Sequence, residues 1–181
     1  MKHLVWSVLI SGMNTLCGCS NEKATDAPQK ELPAIVLSAV DKEKLRAFQQ
    51  ELPSIEGFAA KAIKLAGSEL TRAISGEGFS FNVPAMVEKA KAECRLAGES
   101  LTSKALPEGL SLEMKALLNE GKVGLIASYQ AYAESFDAIS TFVTDMNPMA
   151  LLAYRKKYSQ AQELFNDASG KVQRIMTAAG V

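Results

Sequence analysis

Three cysteines are the side chains of this sequence best suited to covalent chemistry, and two of them lie close together near the N-terminus. Cys17 and Cys19 stand two positions apart, whereas Cys94 is isolated in the middle of the chain. A cysteine thiolate can attack an electrophile, join a disulfide or bind a metal, and its surroundings decide which. Because the early pair follows an apolar segment, its position indicates processing of the N-terminus rather than catalysis.

The residues before this pair have the layout of a secretory signal. Lys2 supplies a positive charge, residues 4–10 form an apolar run, and residues 11–15 are more polar. The apolar run is too short to cross a bilayer as a transmembrane helix. We therefore expect the segment to direct export and then to be removed.

The four residues after the signal resemble the lipobox of bacterial lipoproteins. In that family a leucine lies three positions before the modified cysteine, and a small residue lies immediately before it. Leu16 and Gly18 occupy these positions relative to Cys19. The resemblance covers residues 1–19, and the rest of the chain resembles no specific family.

The resemblance implies cleavage before Cys19 and a lipid on its thiol. In the family a diacylglycerol is joined through a thioether, and the freed amine usually receives another acyl chain such as palmitate. Each buried methylene contributes about 0.8 kcal/mol, so two or three chains give durable membrane attachment. Ser20, where some relatives have aspartate, resembles the class sorted to the outer membrane and facing the periplasm. The alternative is an ordinary secreted protein that is cleaved elsewhere.

Removal of residues 1–18 changes what chemistry the remaining chain can do. It takes away the single histidine, His3, and it leaves Cys94 without an intrachain thiol partner once Cys19 is lipidated. Catalysis by Ser-His-Asp or Cys-His groups is then excluded, as are ordinary zinc and di-iron sites. We therefore expect no enzyme activity, no metal and no cofactor.

The charge of the processed chain argues against nucleic acid as a partner. Loss of Lys2 leaves 19 basic and 20 acidic residues, a formal charge of −1. Such a chain lacks the basic surface of nucleic-acid-binding proteins and the polybasic cluster that binds anionic lipids. We expect lipidated Cys19 to hold the protein at the membrane, where an envelope protein is the expected partner.

Four amphipathic helices are predicted after a flexible tether over residues 19–38. Their apolar residues recur mostly at spacings of three and four, which is the pattern of helices packed along one face. The predicted helices cover residues 40–75, 84–105, 111–146 and 148–179. Since the links are short, the sequence predicts an all-α fold over residues 39–181: an elongated, antiparallel four-helix bundle with up-down-up-down connections.

Several residues mark expected ends or weak points of these helices. Asn82, Ser111 and Asn147 lie where a side chain can cap a helix. Pro53 predicts a kink or a split in the first helix, because proline lacks the backbone donor, and Gly121 predicts a break in the third.

The apolar stripes also assign positions to the side chains that could bind or react. The first stripe passes from Leu52 through Ile55 to Ala59, which leaves the acidic residues on polar, solvated faces. Cys94 lies on the second stripe, so we interpret it as a small buried hydrophobic residue rather than a reactive thiol. Six rings are predicted to face one another: Tyr129, Tyr132 and Phe136 on the third helix, and Tyr154, Tyr158 and Phe165 on the fourth. Core packing is their favoured role, and a cavity for an apolar ligand is the alternative.

Phe79 and Phe81 lie in the glycine-containing link between the first two helices. Such rings usually plug one end of a bundle, and otherwise they form an interaction loop. On these observations we expect a membrane-tethered envelope lipoprotein that acts as a non-catalytic binding or structural module. The alternatives are a carrier or sensor of a hydrophobic small molecule, and an exclusion, immunity or inhibitor protein of the envelope. An enzyme that uses carboxylates alone would need a buried acidic pair, which the pattern does not predict.

Overall fold

Four helices account for most of the residues described by the structure, a computed structural model covering residues 36–77, 82–145 and 147–181. They are α1 (Ala39–Arg72), α2 (Val83–Ser103), α3 (Leu112–Asp145) and α4 (Pro148–Ala179), and a π-helical turn (Ala73–Glu77) follows α1. Over these ranges no strand occurs, so the predicted all-α class is confirmed.

Neighbouring helices run antiparallel, as the short links predict. Ion pairs bridge each neighbouring pair: Glu51–Lys104 for α1 and α2, Lys91–Asp137 for α2 and α3, and Glu134–Lys157 for α3 and α4. The Nζ atom of Lys42 lies beside Gly180, 3.2 Å from where a Cβ would stand, so the start of α1 meets the end of α4. The up-down-up-down order is therefore confirmed, and α3 and α4 share the most extensive contact.

The ends of the helices follow the sequence signals at two of the three predicted caps. The Ser111 Oγ accepts a hydrogen bond from the backbone N–H of Met114 at 3.2 Å, and the Asn147 Oδ1 accepts one from Met149 at 2.9 Å. Asn82 makes no such bond, because its backbone is already in the helical region at the N-cap position (φ −88°, ψ −9°), so that predicted side-chain cap is wrong.

Replacing the two asparagines tests this difference. We expect Asn147→Ala to lower the free energy of unfolding by about 1 kcal/mol, since one backbone donor at the start of α4 loses its partner. Asn82→Ala is the matched control, and we expect its midpoint in urea to equal that of the parent. Equal losses from both substitutions would contradict the assigned caps.

Two predicted interruptions do not occur. α1 runs as one helix of 34 residues through Pro53, so the predicted split is wrong, while the alternative of a kink stays a prediction. We attribute this continuity to the buried residues on both sides of the proline, Leu52 and Ala59 among them, which hold the chain against the core. α3 is likewise unbroken at Gly121, where the missing side chain makes room for Val172 of α4 rather than ending the helix.

Candidate functional site

The residues predicted to carry the tether and the interaction loop lie outside the described part of the chain. Leu16, Gly18 and Cys19 belong to this group, and so do Phe79 and Phe81. Lipidation of Cys19 and the role of the two rings therefore stay predictions. The remaining candidate residues all lie on the described helices.

The six rings of α3 and α4 meet as the sequence predicts. The ring centres of Tyr129 and Phe165 are 6.1 Å apart at 76°, and those of Tyr132 and Tyr158 are 5.3 Å apart at 75°. Burial raises the pKa of the Tyr158 phenol to about 12, and it raises the pKa of Tyr129 and Tyr132 further above the usual range. These phenols are neutral at physiological pH, and their edge-to-face contacts are those of a packed core.

Cys94 is fully buried at the centre of α2. Burial raises the pKa of its thiol to about 12, with a smaller contribution from the charge of Glu93. A neutral thiol is a poor nucleophile and a poor metal ligand. The prediction that Cys94 behaves as a small core residue is confirmed.

Glu56 overturns the prediction that the acidic residues lie on solvated faces. It is 5% exposed, and its Oε1 has no hydrogen-bond partner among the described residues. Burial raises the pKa of this carboxyl from 4.5 to about 7. A carboxyl group in this setting holds its proton well above the usual pH, and Glu56 is the one buried acidic residue among those described.

The sequence carried a signal for this residue that the apolar stripe concealed. Both Ile55 and Glu56 continue the spacing of three and four between Leu52 and Ala59. The preference for apolar residues on the stripe favours Ile55, but the structure buries Glu56 and leaves Ile55 partly exposed. A rotation of α1 about its axis by the angle between adjacent residues decides which of the two is buried. Only the packing of α1 against its neighbours sets that rotation.

A groove lies along α2, next to Gln130 of α3. Its volume is about 360 Å³, Cys94 forms part of its floor, and Gly98 leaves space there because no atom would contact a Cβ at that position. Arg95 lines it and donates a hydrogen bond to Asp137 at 3.3 Å. The groove is open, and burial keeps the Cys94 thiol that lines it in the neutral form.

The outer surface of α1 and α2 presents large apolar side chains to solvent. Phe58 is 72% exposed and Leu65 is 49% exposed, and their spacing of seven places both on one face of α1. On α2, Leu96 is 55% exposed. The antiparallel register set by Glu51 and Lys104 puts Leu96 at the level of Phe58. We call Phe58, Leu65 and Leu96 the outer apolar surface; exposed groups of this kind mark interaction sites when they cluster.

No described helix is long and apolar enough to cross a membrane, and the described residues contain no cluster of three or more histidine, cysteine or acidic residues that could hold a metal ion. No protein family, curated protein or solved structure matches the chain. A function must therefore be inferred from the chain's own residues.

Proposed function

We propose that this protein is a membrane-tethered envelope lipoprotein whose helical domain binds another envelope protein without catalysing a reaction. The observation that carries the proposal is the lipobox-like Leu16-Cys17-Gly18-Cys19 directly after an apolar export signal. Acyl chains on Cys19 would hold an otherwise water-exposed set of amphipathic helices at a bilayer. The favoured location is the outer membrane, facing the periplasm.

The interior of the helices supports a binding role over a catalytic one. Cys94 and the buried tyrosines are held neutral by burial, so they are poorly suited to nucleophilic attack or metal binding. The ring contacts between α3 and α4 fill the space that an apolar ligand would need, which counts against a carrier role. A partner is then expected to contact the outside of the helices.

Phe58 and Leu65 are the residues through which we expect that contact. Their exposed apolar area would be removed from water by a partner, at about 25 cal/mol per Å². Because neither side chain is buried in the protein alone, Phe58→Ser with Leu65→Ser is expected to change the free energy of unfolding by less than about 1 kcal/mol. Chemical denaturation measures this directly.

Site-specific photocrosslinking in the protein's own host tests the proposed contact. A crosslinking residue at position 58 or 65 is expected to capture the same envelope protein, and the same residue at position 152 is the matched control. Leu152 is 56% exposed on α4, so it offers similar accessibility on a different helix. With the crosslinking residue placed at position 96 instead, capture of that protein should disappear when Phe58→Ser and Leu65→Ser are both introduced. Equal capture from positions 58, 65 and 152 would contradict the proposed surface.

A further inference from the structure

Two buried polar atoms lack a hydrogen-bond partner within the described residues. They are Oε1 of Glu56 on α1 and Oγ of Ser169 on α4. Glu56 is only 5% exposed. α1 packs mainly against α2, and the Glu56 carboxyl group lies close enough to Tyr129 of α3 to interact with it electrostatically. The turn that carries Glu56 therefore holds an unsatisfied oxygen in the core.

The same turn of α1 is the weakest part of that helix. Pro53 has no backbone N–H, so one hydrogen bond of the helix is missing. Gly57 directly follows Glu56 and disfavours the helix by about 1 kcal/mol relative to alanine. Packing, rather than backbone preference, must keep this turn in place.

The groups that surround Glu56 provide no countercharge. From α3, Tyr129 is the titratable group whose phenol interacts electrostatically with Glu56. From α2, Cys94 interacts with Tyr129. From α4, the apolar ring of Phe165 contacts Tyr129. No described cation contributes to the pKa of Glu56, for which burial is the cause.

We propose that Glu56 is a proton-operated latch that holds the middle turn of α1 against the core of the other helices. With its proton, the carboxyl group is neutral and tolerated in the apolar interior. When the proton passes to solvent, the carboxylate is left unpaired in that interior, and the turn between Pro53 and Gly57 opens to hydrate it. This property belongs to the helices themselves and does not depend on the proposed function.

The direction of the pH dependence follows from proton binding. Between pH 4.5 and about 7 the closed turn binds the Glu56 proton more tightly than the open turn does. Opening therefore becomes more favourable as the pH rises through this window, and it levels off above about 7. From pH 5.5 to 8.5 the opening equilibrium is expected to rise about 30-fold.

Amide hydrogen exchange of the full protein, purified from its host, tests the latch. After correction for intrinsic rates, amides 51–60 of α1 are expected to show this rise at a lower opening free energy than amides 125–136 of α3, which exchange through global unfolding. Glu56→Gln should abolish the rise in α1, and Glu43→Gln, which changes an exposed carboxyl on the same helix, should retain it. Equal opening free energies in α1 and α3, or a rise that survives Glu56→Gln, would overturn the proposal.

A second measurement on the unaltered protein keeps the test decisive if Glu56→Gln does not fold. Carbon-13 NMR of the glutamate carboxyl groups reports each titration directly. We expect one carboxyl group to titrate near pH 7, with chemical-shift changes in α1 over the same range. Titration of every glutamate near its ordinary value would overturn the latch.

Discussion

Glu56→Gln is expected to remove most of the pH dependence of global stability between pH 5 and 8. In the parent protein the folded state keeps the Glu56 proton to about pH 7, while the unfolded state loses it near 4.5. Each unit of this difference is worth 1.36 kcal/mol, so the free energy of unfolding should fall by about 2 to 3 kcal/mol over the range. The stability contributed by the proton is present in acid and lost as the pH rises through the folded pKa.

Urea unfolding at several pH values measures this effect. The Glu56→Gln chain should be nearly flat over the range and should exceed the parent at pH 8. Glu43→Gln is the control, because its side chain is 76% exposed and its pairing with Arg46 lies at the surface. A parent protein that becomes more stable from pH 5 to 8 would show that the buried carboxyl does not govern its stability.

Gly124→Ala is expected to destabilise the protein by about 1 to 3 kcal/mol. A Cβ at position 124 would lie 2.7 Å from the Cβ of Ala168 on α4. Alanine has no rotamer that could relieve this clash, so α3 and α4 would have to separate. Separation would loosen the ring contacts between the same two helices, including Tyr129 with Phe165.

A double-mutant cycle separates this clash from the general cost of altering a helix. We expect Gly124→Ala combined with Ala168→Gly to recover much of the lost stability, because the methyl group moves from one helix to the other. Gly170→Ala is a further control on α4. No atom lies within 4 Å of its added Cβ, so it should stabilise the helix by up to about 1 kcal/mol. Strict additivity of the two changes would contradict the close approach.

The helices themselves could be predicted from the sequence because their signals are local. The strict alternation of apolar spacings along α3 specifies that helix. The Asn147-Pro148 pair specifies where α4 begins. The pairing of the six rings of α3 and α4 could also be predicted from the sequence, since the apolar stripes of both helices place the rings on the inner face. These features depend on residues a few positions apart and need no knowledge of the neighbouring helices.

The errors arise where a neighbouring helix decides the outcome. Gly121 looks like a weak point in isolation, yet it is the place where Val172 packs against α3. Ile55 and Glu56 satisfy the same spacing, and the preference for apolar residues in a core favours the wrong one. The spacing alone therefore misses Glu56, because its burial is set by the rotation of α1 against the other helices.

Intact mass spectrometry of the protein purified from its host's membranes tests the central claim of a lipid tether most directly. We predict a chain that begins at Cys19 and carries the added mass of a diacylglycerol, with an acyl group on its amine. The mass should lose these groups, and the protein should leave the membrane fraction, when Cys19 is replaced by alanine. A chain that retains residues 1–18 and carries no acyl mass would contradict the account.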